Sequence, residues 1–155
     1  MIINNLTDIP HAMIEFAIRM NSDIIKEGIE INEIKLYNKK ERKIFGNWGY
    51  YYPHAKLITL RVPRILTYVN AKLRVSKAKI VMHSRAEFVV SVLAHEMRHA
   101  YQYQVEQLQR KYNEPILSYI MEVEAESYQL KKLREFREMI QPAQRAAQNI
   151  IGEEK

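Results

Sequence analysis

The stretch from Ser84 to Ala100 leaves this chain less freedom than any other part of it. Ser84-Arg85-Ala86-Glu87 has the spacing of a capping box, in which the serine hydroxyl accepts from the backbone N–H three residues on and the glutamate reaches back toward the helix start. The apolar residues Phe88, Val89, Val90, Val92 and Leu93 follow at once, which predicts a long helix from Ser84 to about Lys111. That helix carries the sequence Leu93-Ala94-His95-Glu96-Met97-Arg98-His99-Ala100. Leu93, Met97 and Ala100 would anchor one side of it in a core while two histidines face another.

Residues four apart lie one above the other on a helix, so the imidazoles of His95 and His99 converge on one tetrahedral ion at about 2.0 to 2.1 Å. Glu96 stands about 100° around the helix from His95, where it flanks such an ion without having to bind it. Zinc lowers the pKa of its bound water to about 7, and a flanking carboxylate can take the proton as hydroxide attacks a polarised carbonyl. The pattern therefore assigns His95 and His99 as ligands of one Zn2+ per chain, Glu96 as general base, and amide hydrolysis as the reaction. The chain has no cysteine, which excludes a thiolate site, a disulfide framework and a cysteine nucleophile. His, Asp or Glu must complete the ligand set.

At 155 residues, with 47% hydrophobic and 27% charged residues and only 4 Gly and 5 Pro, the composition is that of one ordered domain over 1–155. Residues 1–20 lack the basic start and apolar middle of a secretory signal. No run approaches the roughly 18 apolar residues of a membrane span, so a cytoplasmic protein without membrane contact is expected. The formal charge of +6 would suit nucleic acid or an acidic partner if it were gathered on one face. In sequence it is spread over Lys39-Lys40 with Arg42-Lys43, Lys72 to Lys79, and Lys131 to Arg137, which reads as solvated surface.

Upstream of the constrained helix, Thr7 or Asp8 caps a helix with Pro10 in its first turn and an apolar stripe of Ala12, Phe16, Met20 and Ile24, ending at Gly28. Alternation from Ile29 to Tyr37 predicts a strand that turns through Asn38-Lys39-Lys40. Ile44 to Tyr52 and Ala55 to Arg61, joined through Pro53-His54, predict two more strands in an antiparallel meander. Arg64 to Arg74 reads as a short helix or an irregular crossover, and Lys79 to Met82 as a short strand. Downstream, Asn113-Glu114-Pro115 opens a helix that runs to about Ile140 and stops at Pro142, with a last short helix from Pro142 to Ile151. The fold class is α+β.

The downstream helix contains Met121-Glu122-Val123-Glu124-Ala125-Glu126-Ser127-Tyr128. With HExxH before it, the chain resembles the gluzincins, zinc peptidases whose third ligand is a glutamate on a second helix, commonly within ExxxD or E-x-E-A-D. His95-Glu96-Met97-Arg98-His99-Ala100-Tyr101-Gln102 is also similar to the HE-x-RHA-x-Q form of small bacterial and phage metallopeptidases, and the chain length resembles that of the minigluzincins. Most of the chain shares the element order, and the motifs lie between Leu93 and Tyr128.

Matched position by position, the resemblance makes Glu122 the third ligand. It makes Glu126, which stands where the family often has Asp, the acid that orients a ligating histidine through its other ring nitrogen. Glu124, about 200° around the helix from Glu122, is the reserve ligand if the register is shifted. The resemblance also implies a zincin-like fold: an N-terminal helix, a small and mostly antiparallel twisted sheet, an active-site helix and a glutamate helix. An edge strand within Trp48 to Leu60 would take the substrate backbone by strand addition, with Tyr50, Tyr51 and Tyr52 lining the cleft. The residue that would stabilise an oxyanion stays open among Tyr101, Tyr103, Tyr112, Tyr119, Tyr128, His54 and His83.

The expected function is a zinc metallopeptidase, an endopeptidase acting on a peptide or protein. Two other readings stand beside it. One is a regulatory protease like the ImmA/IrrE family, which also combines HExxH with a downstream glutamate. The other is a non-catalytic basic helical module that binds nucleic acid or a protein partner, with structural zinc or none.

Overall fold

The capping box predicted at Ser84 forms. Ser84 Oγ accepts from Glu87 N at 3.1 Å, while Glu87 Oε2 accepts from His83 N at 2.7 Å, one residue before the position a capping box would use. The helix so started is Arg85–Gln104, and in it every residue from Phe88 to Ala94 is buried. A helix apolar on all sides belongs inside a protein, and each fully buried Val, Leu or Phe contributes roughly 1.5–3 kcal/mol.

The computed structural model describes residues 1–39, 48–63, 69–72, 79–108 and 114–153. In chain order these hold β1 (Ile2–Asn5), α1 (His11–Arg19), α2 (Ser22–Ile25), β2 (Glu33–Asn38), β3 (Gly49–Tyr52), β4 (Leu57–Val62), β5 (Val69–Lys72), β6 (Lys79–Met82), α3 (Arg85–Gln104) and α4 (Pro115–Glu153). The fold is mixed α and β. Helix α3 is the central element, packed on β3 and β4 to one side and against α1 and α4 elsewhere. None of the described helices is long and apolar enough to cross a membrane.

The sheet departs from the expected meander. Its order is β1-β2-β4-β3, with β1 parallel to β2, β2 parallel to β4, and only β3 antiparallel to β4. It is therefore mostly parallel, not mostly antiparallel. The physical reason lies in burial: Ile34 and Leu36 of β2 and Ile58, Leu60 and Val62 of β4 are fully buried, so these strands take the two inner places. β1 and β3 carry exposed side chains, Ile2 in one and Tyr50 and Tyr52 in the other, and sit at the edges. β3 and β4 do form the expected hairpin, turned at Lys56 in the left-handed region (φ 49°). Residues 44–47 of the predicted strand lie outside the described residues. β6 appears where a short strand was expected, and pairs antiparallel with β5, in a segment read as a helix or crossover.

Three helix predictions also change. The N-terminal helix is split at Met20–Asn21, and its core side is Ile14, Ala17 and Ile24, with Ala12 exposed. Neither Thr7 nor Asp8 caps it; Thr7 instead closes a turn with Asn5 and Ile9. Helix α3 ends at Gln104 rather than Lys111, because Gln107 adopts φ 54° and brings Leu108 N to the Gln102 carbonyl at 2.9 Å. Helix α4 runs through Pro142 without a break. Proline there removes one bond, to the Glu138 carbonyl, and strong helix formers on both sides carry the helix past it.

Helix α4 is fixed to the body at several points. Phe136 meets Phe16 edge-on at 6.0 Å, and Tyr128 donates to Asp23 at 3.0 Å. Lys132, only 5% exposed, reaches Asp23 at 3.2 Å and Glu135 at 3.1 Å, and Arg137 bonds Glu87 and the Val81 carbonyl. Of the Lys131 to Arg137 group, Lys132 is thus an internal brace rather than solvated surface, while Arg137, its side chain 41% exposed, ties α4 to Glu87 from the surface. The register of α4 against α3 follows from these braces.

Candidate metal centre

His95 and His99 stand one turn apart on α3, their rings 4.9 Å between centroids at 76°. Across from them Glu122 projects from the first turns of α4, and the ligand atoms of the three residues gather in one cluster. His95 Nε2 and His99 Nε2 are 3.2 Å apart. Glu122 Oε2 lies 3.3 Å from His95 Nε2, and its Oε1 lies 3.1 Å from His99 Nε2. Ligands held about 2.0–2.1 Å from the centre of a tetrahedron stand about 3.3–3.4 Å from one another, so the three edges are close to those of a zinc site.

The hydrogen bonds behind the rings decide what this triangle can hold. His95 Nδ1 meets Gln129 Oε1 at 2.9 Å, and His99 Nδ1 meets Gln102 Oε1 at 2.8 Å. An amide oxygen only accepts, so an Nδ1 that meets one is the donor; for His99 this follows from the Gln102 amide, whose Nε2 already donates to the Met121 carbonyl and to Glu124. The two Nε2 atoms and the carboxylate of Glu122 face one another. Positive charge among these groups, as a proton on a nitrogen or a cation at the centre, would balance the carboxylate, and the distances accommodate either.

Access is limited but real. The side chain of His99 is 6% exposed, whereas His95 and Glu122 keep 17% and 15%. Glu96 is 6% exposed and lies under the edge strand β3. A methyl group placed on Gly49 would stand 2.9 Å from Glu96 Cγ and Val92 Cγ1 and 3.1 Å from Glu96 Oε1. The strand passes this close to the carboxylate only because position 49 has no side chain.

Glu124 does not join the histidines. Its Oε2 accepts from Arg98 Nη2 at 3.3 Å and from Gln102 Nε2 at 3.0 Å, while Arg98 also reaches Glu106 at 3.1 Å and lies over the Tyr101 ring. Glu126 is buried, but the Nδ1 bonds that the resemblance would assign to an acid are made by Gln129 and Gln102. In the sequence Gln102 stands only as the last residue of the HE-x-RHA-x-Q match, with no role attached, and Gln129 carries no expectation. Their spacing was a usable signal, since Gln102 is one turn beyond His99 and Gln129 two turns beyond Glu122 on the same helix face.

Among the aromatic candidates, Tyr128 is taken by Asp23, Tyr103 packs edge-on against Tyr51 at 5.8 Å, and Tyr101 carries Arg98. Tyr119, His54 and His83 are exposed, and Tyr112 lies outside the described residues. Of the three consecutive tyrosines, Tyr51 points into the core and accepts from Gln104 at 2.8 Å, while Tyr50 and Tyr52 share the opposite, exposed face with rings 4.6 Å apart. No family model matches the chain, no curated protein matches it, and no solved structure does.

Proposed function

We propose that this chain is a zinc metallopeptidase of the gluzincin type. The observation that carries the reading is the triangle of His95, His99 and Glu122, whose edges of 3.1–3.3 Å are close to those of a tetrahedral metal site. A zinc ion bound there would supply Lewis acidity and a water of lowered pKa. The residues of the chain then divide the work. His95 and His99, held by Gln129 and Gln102, offer Nε2 to the ion, and Glu122 offers the negative charge. Glu96, on the same helix and nearly buried, takes the proton from water and hands it on to the leaving amine. The edge strand β3, lying over Glu96, is the surface on which an extended peptide backbone would align, which makes a peptide or an unfolded segment of protein the substrate.

The decisive experiment is metal analysis coupled to proteolysis. Protein purified without added metal is expected to hold about one zinc per chain and to cleave an unstructured protein in a chelator-sensitive manner. Absence of zinc together with absence of any zinc-induced rise in Tm would sink the reading. Gly49→Ala offers a more local check. It is expected to leave zinc content unchanged and to lower kcat/KM about tenfold to a hundredfold, because shifting a base by about 1 Å is enough to do so. An unchanged rate would mean that β3 yields without moving Glu96.

A further inference from the structure

Gln102 is a fully buried polar side chain at the contact of the two helices that carry the ligands. Its Nε2 donates to the Met121 carbonyl at 2.9 Å and to Glu124 Oε2 at 3.0 Å. Both partners can only accept, so the amide cannot be turned around, and its oxygen must face His99 Nδ1 at 2.8 Å. The proton of a neutral His99 is thereby confined to Nδ1, against the Nε2–H form that a histidine in water prefers. Met121 adjoins Glu122, and Glu124 is fastened in turn to Arg98 of α3, so one amide joins the orientation of a histidine to the placement of the glutamate helix.

We propose that Gln102 is a positioning residue that holds His99 in the Nδ1–H tautomer with Nε2 aimed at the centre before any metal arrives. The proposal rests on the reading of His95, His99 and Glu122 as a metal site. Gln129, itself 3% exposed, lies 2.9 Å from His95 Nδ1 on the side of α4. A buried leucine at position 102 would fill the volume yet offer no acceptor. His99 would then be free to place its proton on Nε2, where it opposes a cation.

Two measurements on the full chain test this. Imidazole nitrogen NMR of the metal-free protein, at a pH where the rings are neutral, is expected to show His99 as the Nδ1–H form, and Gln102→Leu is expected to convert it largely to Nε2–H. Zinc affinity, read by competition with a chromophoric chelator, is expected to fall about 10- to 100-fold in the same variant. Where leucine prevents folding, Gln102→Asn, whose amide falls a methylene short of His99, reads the same quantities.

A variant that lowers Tm yet keeps the Nδ1–H form and zinc affinity within about twofold would overturn the proposal, leaving Gln102 a packing residue. Wild-type protein that binds no zinc would overturn the metal reading alone, because the tautomer of His99 is read without metal.

Discussion

Glu96→Gln is expected to keep one zinc per chain and to lose about 10²- to 10⁴-fold in kcat/KM on a peptide substrate, the usual contribution of a placed general base. The amide has the shape of the carboxylate, so the contact beneath Gly49 is preserved and the helix keeps its packing. What disappears is the capacity to accept a proton from water. Glu96 is not one of the three ligand residues, and its loss should leave zinc affinity within a few-fold of wild type. Equal zinc content in the two proteins, measured alongside the rates, separates a lost base from a lost metal. A variant that kept a tenth or more of the activity would show that some other group takes the proton, and Glu96 would have to be reassigned to support of the edge strand.

Why Glu96 and the two histidines could be placed on one helix so directly is a matter of locality. Ser84, Glu87 and the apolar run after them specify a helix within a few residues of themselves, and a helix converts a spacing of four into a shared face. Glu122 came from the resemblance instead, since periodicity places Glu122 and Glu126 on one face but does not choose between them and Glu124. The glutamines behind the histidines were not legible, although they obey the same periodicity. Gln102 and Gln129 acquire their meaning only when α3 and α4 are brought together at one register, and that register is set by distant contacts such as Phe16 with Phe136 and Asp23 with Lys132.

The sheet was harder still, because strand order is decided between segments far apart in the chain. Ile2–Asn5 offers no alternation to read, and becomes a strand by lying parallel to β2, 31 residues further on at Ile2 and Glu33. β4 enters between β2 and β3 because its inward residues are buried, something that a local hairpin rule does not weigh. Gly49 belongs to the same class of information. A glycine before three tyrosines reads as a strand boundary, and only the crossing of β3 over α3 turns it into a requirement for close approach to Glu96.

Glu122→Ala is the other large effect. Zinc binding to a four-ligand site is worth about 10–16 kcal/mol, so one ligand carries roughly 3 kcal/mol, and zinc affinity is expected to fall by about a hundredfold or more. The loss should also appear in stability. At a thousandfold excess over its dissociation constant, zinc stabilises the wild-type fold by about 4 kcal/mol, which for a chain of this size raises Tm by roughly 10 °C. Most of that rise should vanish in the variant. Glu124→Ala is the control: it removes a partly exposed acceptor from Arg98 and Gln102, costs at most about 1 kcal/mol, and should leave the zinc-induced rise largely in place, because the Met121 carbonyl still fixes the Gln102 amide. The opposite result, with zinc lost from Glu124→Ala and kept by Glu122→Ala, would move the ligand two residues along α4. That would require α4 to rotate by about 200°, against the anchors that Tyr128, Lys132 and Arg137 provide, so the braces of the fold and the identity of the ligand stand or fall together.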